Sequence, residues 1–287
     1  MNIDNAPADP DRKGMIYMAS RDDMFTNKLF LCGALPLMKT IATDVPELAK
    51  KFEHVHAVIQ ISADDPDAPD GKYATHFVIN SGEWVVHADK VSDKEHTDIE
   101  LEFKSVEQMN AFFKGTIGPK TLPKMHGVAK KPGVFLSFMM VLLKMSSLLT
   151  AKEAPEDEDT QRLMVKCFFY LLTSGISTLN KQGHEEVHEW TSKSPDRVYA
   201  LAVENHPEVS AFIRIKAGHS KAGRGEYKRA MPFFTLRFDS FKSALGTLLG
   251  TDDMLDATKN GRIVMDGGPE FGAQFGGFLL TVGSYVQ

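Results

Sequence analysis

Two segments of this 287-residue chain carry the same pattern, and that pattern limits what the chain can fold into. Ile99-Glu-Leu-Glu-Phe-Lys-Ser105 and Phe234-Thr-Leu-Arg-Phe-Asp-Ser240 both alternate apolar and polar residues, as a strand with one buried face does. Each ends on a serine placed to cap a following helix. Val106 to Lys114 and Phe241 to Leu249 are amphipathic and stop at Gly115 and Gly250, where a helix C-terminus favours glycine. A loop follows in both, then a glycine that opens a short strand: Gly127-Val-Ala-Lys-Lys and Gly261-Arg-Ile-Val-Met. Both then turn, through Pro132-Gly133 and Gly267-Gly268-Pro269, into a final apolar helix. Upstream, Ala74 to Asn80 is laid against Ala200 to Asn205, and Trp84 to His87 against Ala211 to Arg214. A chain that repeats strand, helix, strand, helix is expected to be α+β and duplicated, with one unit over residues 1–150 and a second over 151–287.

The remaining segments fit that frame. Phe25 to about Lys51 reads as helical, His54 to Ser62 as a strand, and Asp64 to Gly71 as a turn by its Pro, Asp and Gly content. Ala151 to Asp159 is an acidic linker leading into a helix from Thr160 to about Asn180. The N-terminal Met1 to Met15 is too polar for a secretory leader. Val134 to Leu143, the most apolar stretch, is half the ~20 residues a membrane span needs, so a soluble, cytoplasmic protein without such a span is expected. The net charge of −5 argues against a nucleic-acid partner. Cys32 and Cys167 sit in apolar helical contexts without metal spacing and read as buried thiols.

The strand, Ser-capped helix and glycine-bounded strand resemble the sterol carrier protein type 2 family. Asn260-Gly-Arg-Ile-Val-Met-Asp-Gly267 carries the resemblance best. Met125-His-Gly-Val-Ala-Lys-Lys-Pro-Gly133 departs from it, with Lys131 and Pro132 in place of the Gly-Asp ending. The likeness spans residues 43–149 and 160–287. It implies two modules, each a mostly antiparallel five-stranded sheet with helices on one side. It further implies an apolar tunnel between sheet and helices for a fatty acyl or sterol-like ligand, bound or transferred without chemistry and without a cofactor.

The residues themselves point to two apolar helices as the walls of such a site. Val134 to Met145 is apolar on nearly every side, and methionines there would adapt to a ligand. Leu136, Met139, Met140 and Leu143 are its candidate binding residues. Phe271, Phe275, Phe278 and Leu279 are those of the C-terminal helix, with Gly272 and Gly276 on another stripe. The second unit, which keeps the family-like turn, is the expected binder. A different reading has the tunnel filled by its own side chains and the protein working through structural or regulatory protein–protein contact. Self-association into a homo-oligomer is compatible with either.

Three motifs carry other chemistry. His184-Glu-Glu-Val-His188 has the His-Glu-x-x-His spacing of zinc proteases, but acidic Glu186 and Glu189 suit a wet helix surface, so zinc binding and catalysis are not expected there. His54 and His56 share a strand face without a third ligand. Lys216 to Arg229 is a glycine-rich basic segment that reads as a hairpin loop, or alternatively as a basic mouth that meets an anionic head group or makes transient contact with an acidic membrane surface.

Overall fold

The computed structural model describes residues 19–92 and 96–286. The first helical region is α1 (Arg21–Leu29), capped by the Ser20 hydroxyl, then a π-turn (Phe30–Ala34), α2 (Leu37–Asp44) and α3 (Pro46–Ala49). Sheet one follows: β1 (His56–Asp64), β2 (Lys72–Asn80), β3 (Glu83–His87), β4 (Ile99–Phe103) and β5 (Lys124–His126), with α4 (Val106–Phe113) after β4 and α5 (Pro132–Leu149) after β5. The second half opens with α6 (Glu158–Lys181) and α7 (Glu185–Lys193). Its sheet holds β6 (Arg197–Val203), β7 (Ala211–Lys216), β8 (His219–Arg224), β9 (Phe234–Phe238) and β10 (Ile263–Asp266). Here α8 (Phe241–Leu248) and α9 (Met254–Lys259) precede β10, and α10 (Pro269–Val286) ends the half.

The strand orders are β3-β2-β1-β4-β5 and β10-β9-β6-β7-β8, which is one order read from opposite edges. β4 lies parallel to β1 and β9 parallel to β6, and the other pairings are antiparallel. The sheets are therefore mixed: most pairings are antiparallel, as expected, and each sheet has one parallel pair. After two hairpins the chain crosses from an edge strand to the far side of the first strand, and that crossover forces a parallel neighbour.

The anticipated strand-and-cap pair falls at equivalent places. β4 and β9 are both fourth strands with the same alternating burial. Ser105 and Ser240 each accept a hydrogen bond from the backbone N–H three residues on. The upstream alignment was shifted by one strand, because Ala74 to Asn80 lies in a second strand and Ala200 to Val203 in a first. The strand expected after Gly127 lies instead before it, at Lys124–His126. At Gly127 the chain passes so close to β4 that a β-carbon would sit 1.8 Å from the Asp98 carbonyl oxygen.

One face of each sheet is apolar. Ile59, Ile61, Phe77, Ile79, Leu101 and Phe103 point inward from sheet one, and Tyr199, Leu201, Ile213, Phe234 and Phe238 from sheet two. The helices cover those faces, and one hydrophobic core runs through both halves. α6 joins them: it packs on β7, β8, α8 and α10 and also on the π-turn, α1 and α2. At 24 residues it is about 36 Å long. The sequence placed no helix of membrane-spanning length; both α5 and α6 reach it by length and composition. The apolar window of α6 is 83% buried in the protein, that of α5 only 28%.

Candidate functional site: the outer face of an apolar helix

α5 shows why the sequence saw apolar residues on every side. Phe138, Val141, Leu142, Met145 and Leu148 turn inward; Phe138 meets Phe77 at 5.3 Å and stacks with Trp84 at 6.3 Å. The opposite stripe, Leu136, Met140 and Leu143, repeats at i, i+4 and i+7 and faces solvent, with exposures of 64%, 40% and 62%. Met139 is half-buried between them.

The C-terminal candidates behave differently. Phe275 is fully buried, its ring 5.4 Å from Tyr199 and 6.2 Å from Phe234, and Phe278 lies 4.7 Å from Trp190. Leu279 is buried, and half-buried Phe271 packs on Phe233 beneath the Arg197 guanidinium. Gly272 lets the Phe234 ring approach to where a β-carbon would sit, 2.9 Å away, whereas Gly276 has open space around it. These rings fill the space between α10 and sheet two. α5 packs with α2, α3 and α6, while α10 packs with α1, α6 and β9. The two residue sets thus sit on different parts of the molecule, and the second helix, favoured from sequence as the binding one, turns its candidates into the core.

Charge marks the same region of α5. From Gln108 to Lys152 the chain has no Asp or Glu, yet it carries Lys114, Lys120, Lys124, Lys130, Lys131, Lys144 and Lys152. In a chain of net charge −5 this segregation was legible in the sequence and went unread. Ile117, Leu122 and Met125, all exposed, fall in the same stretch. Lys131 fastens the start of α5 to sheet one, 2.8 Å from Asp98 and donating to the His56 carbonyl. Burial alone would raise the Asp98 carboxyl, but the Lys131 ammonium and the Val58 N–H outweigh it and hold it below its ordinary value.

The outer face of sheet one, away from the helices, is polar. Glu100 accepts from Gln60 (2.9 Å) and Ser62 (2.7 Å), and Lys72 bridges Glu100 and Glu102. Glu102 is held below the usual carboxylate range first by the Lys72 hydrogen bond, against burial, and then by His126. Beside this network His76, His87 and Asp89 bring one ligand atom each within 4.8 Å of one another. The histidines the sequence sets side by side, His54 and His56, lack a third ligand among the described residues, and only His56 lies in β1. The missed signal is numerical: once Ser81-Gly82 is placed as the hairpin turn, His76 and His87 become direct cross-strand partners.

The other motifs dissolve into structure. His184 precedes α7 with its ring packed on Phe25 and Tyr285, and His188 Nδ1 lies 3.2 Å from Asn180 Oδ1. Much of Lys216–Arg229 is strand β8 rather than a free loop. Lys216 pairs with Asp196, and Arg224 reaches Thr40 Oγ1 (3.0 Å) and lies over Tyr170. That corrects the loop expected there. Burial pushes the Cys167 thiol up to about 12 and raises that of half-buried Cys32, so both stay protonated. A cleft of about 400 Å³ opens on the outer face of sheet two, over Ala200, Ala202 and Thr235, between Tyr227, Pro232 and Arg237.

No family model and no curated protein matches the chain. Among solved structures, a conserved hypothetical protein of Thermus thermophilus, whose description offers sterol carrier protein as one option, is 20% identical over 38% of this chain and 83% of its own, with a TM-score of 0.26. A stereoselective inverting sec-alkylsulfatase from Pseudomonas sp. is 11% identical over 53% of this chain and 28% of its own, with a TM-score of 0.25.

Proposed function

We propose that this chain is a non-enzymatic protein that engages lipid, taking hold of an acyl or sterol-like ligand at an anionic bilayer surface through α5. The observation that carries the reading is the solvent-facing stripe Leu136, Met140 and Leu143 inside a stretch with seven lysines and no acid. Sinking a Leu or Met side chain into an apolar phase gains about 1.5–3 kcal/mol. Each lysine near an anionic surface adds about 1 kcal/mol within a Debye length. Two weak terms together suffice for reversible docking, as a helix lying in the interface needs both. The reading of two diverged, sterol-carrier-like copies over 1–150 and 151–287 is supported by the shared strand order and the matched serine caps.

Vesicle co-sedimentation tests it. Neutral phosphatidylcholine vesicles should retain little protein, and vesicles with about 30% phosphatidylserine should retain most of it, less so as salt screens the lysines. The double change Leu136→Ser and Leu143→Ser should abolish retention without lowering Tm. Equal indifference to both vesicle types would sink the proposal. A second reading, contact with another protein through the same face, draws on the ring-filled interior around Phe275 and Phe278. It would be favoured if the double variant changed the oligomeric state and not lipid retention.

A further inference from the structure

We infer that His76, His87 and Asp89 form a binding site for a divalent transition-metal ion of the zinc class on the outer face of sheet one. His76 and His87 are directly opposite each other on β2 and β3, with ring centroids 4.7 Å apart. His76 is buried, while His87 and Asp89 are exposed.

Asp89 is brought to the pair by its backbone. Its carbonyl oxygen lies 2.7 Å from His76 Nδ1, and two residues on the Val91 N–H donates to Gln60 Oε1 at 2.7 Å. These two bonds lay the segment after β3 across the sheet and leave the Asp89 carboxylate 3.4 Å from His76 Nδ1, on the N–H side of the ring, so it reaches an ion held by Nε2 only by turning about its own side-chain bonds. A histidine whose Nδ1–H donates to a carbonyl keeps the lone pair on Nε2, the arrangement that ligating histidines commonly adopt. Ligand atoms on a tetrahedral zinc, with bonds of about 2.0–2.1 Å, stand about 3.4 Å apart. Rotations of the two exposed side chains close the difference from 4.8 Å. Two imidazoles and one carboxylate suit zinc, and the fourth position would fall to water or a partner's group.

The second sheet supplies a control. Counting from the hairpin turns, the fifth pair is His76–His87 in sheet one and Phe212–Gly223 in sheet two. There Tyr227, arriving from the following segment, packs on Phe212 at 4.9 Å, and a β-carbon on Gly223 would strike the Phe212 ring at 2.1 Å. The same fold position is thus closed by apolar packing in one half and lined with ligands in the other. The hairpin itself does not require histidines.

Zinc titration of untagged full-length protein by calorimetry, with cobalt absorption as a second readout, tests the site. One ion per chain should bind in the micromolar range, with a cobalt spectrum of low coordination number. His87→Ala, at an exposed position, should keep the fold and weaken binding by at least about tenfold. The pair His76→Phe with His87→Gly, which copies sheet two, should remain folded and bind none. Absence of saturable binding in the wild type, or binding undiminished in either variant, overturns the inference.

Discussion

At Gly127 two demands meet: a left-handed backbone with φ of 74° and a carbonyl oxygen 1.8 Å from where a β-carbon would lie. Gly115 has the first demand alone, with φ of 88° and open space. Gly115→Ala should therefore cost about 1–2 kcal/mol, and Gly127→Ala distinctly more, in paired urea melts. The glycines and serine caps were legible in sequence because their roles are local. The histidine pair was not, since its members meet only through strand register. Glu102 sets a pH dependence. Its folded carboxyl lies below the unfolded value of about 4.3, so its contribution is present above that pH and is lost as pH falls through the folded value. Glu102→Gln should flatten the acid limb of a stability–pH curve and leave the neutral region nearly level. A steeper acid limb would contradict this.

Among the elements, the two apolar helices read alike as sequence and separate as structure. Composition cannot tell a helix with two apolar faces, one of them uncovered, from a helix sunk in a core. Only the packing of α10 under Trp190 and Tyr199 decides. Phe278→Ala should cost about 3–5 kcal/mol through its cavity, whereas Leu143→Ala should change stability by no more than about 0.5 kcal/mol. Thermal melts of both variants measure the split. The element order was largely readable, because period-two alternation and capping are written residue by residue. The parallel pairs were not, because strands as far apart in sequence as β1 and β4 become neighbours only through a crossover. The same blindness produced the alignment shifted by one strand.

Across the whole molecule, α6 belongs by sequence to the second half and by packing to both. The linker at Ala151 to Asp157 therefore joins two halves that share a core rather than two that fold apart. Full-length protein should unfold in one cooperative transition by circular dichroism and tryptophan fluorescence. Residues 1–150 alone should give no such transition, having lost the cover over the π-turn and α2. The contact between α1 and α10 bears on chain connectivity. Tyr285 donates to Asp22 and its carbonyl accepts from Thr26, although more than 250 residues separate them. The first and last described helices are neighbours in space, while the linker between α5 and α6 lacks regular structure. A circular permutant that links α10 to α1 and opens between Glu153 and Ala154 keeps each helix, strand and core contact. In it the present second half would be made first, so α6 would be waiting as a platform when the π-turn and α2 emerged from the ribosome.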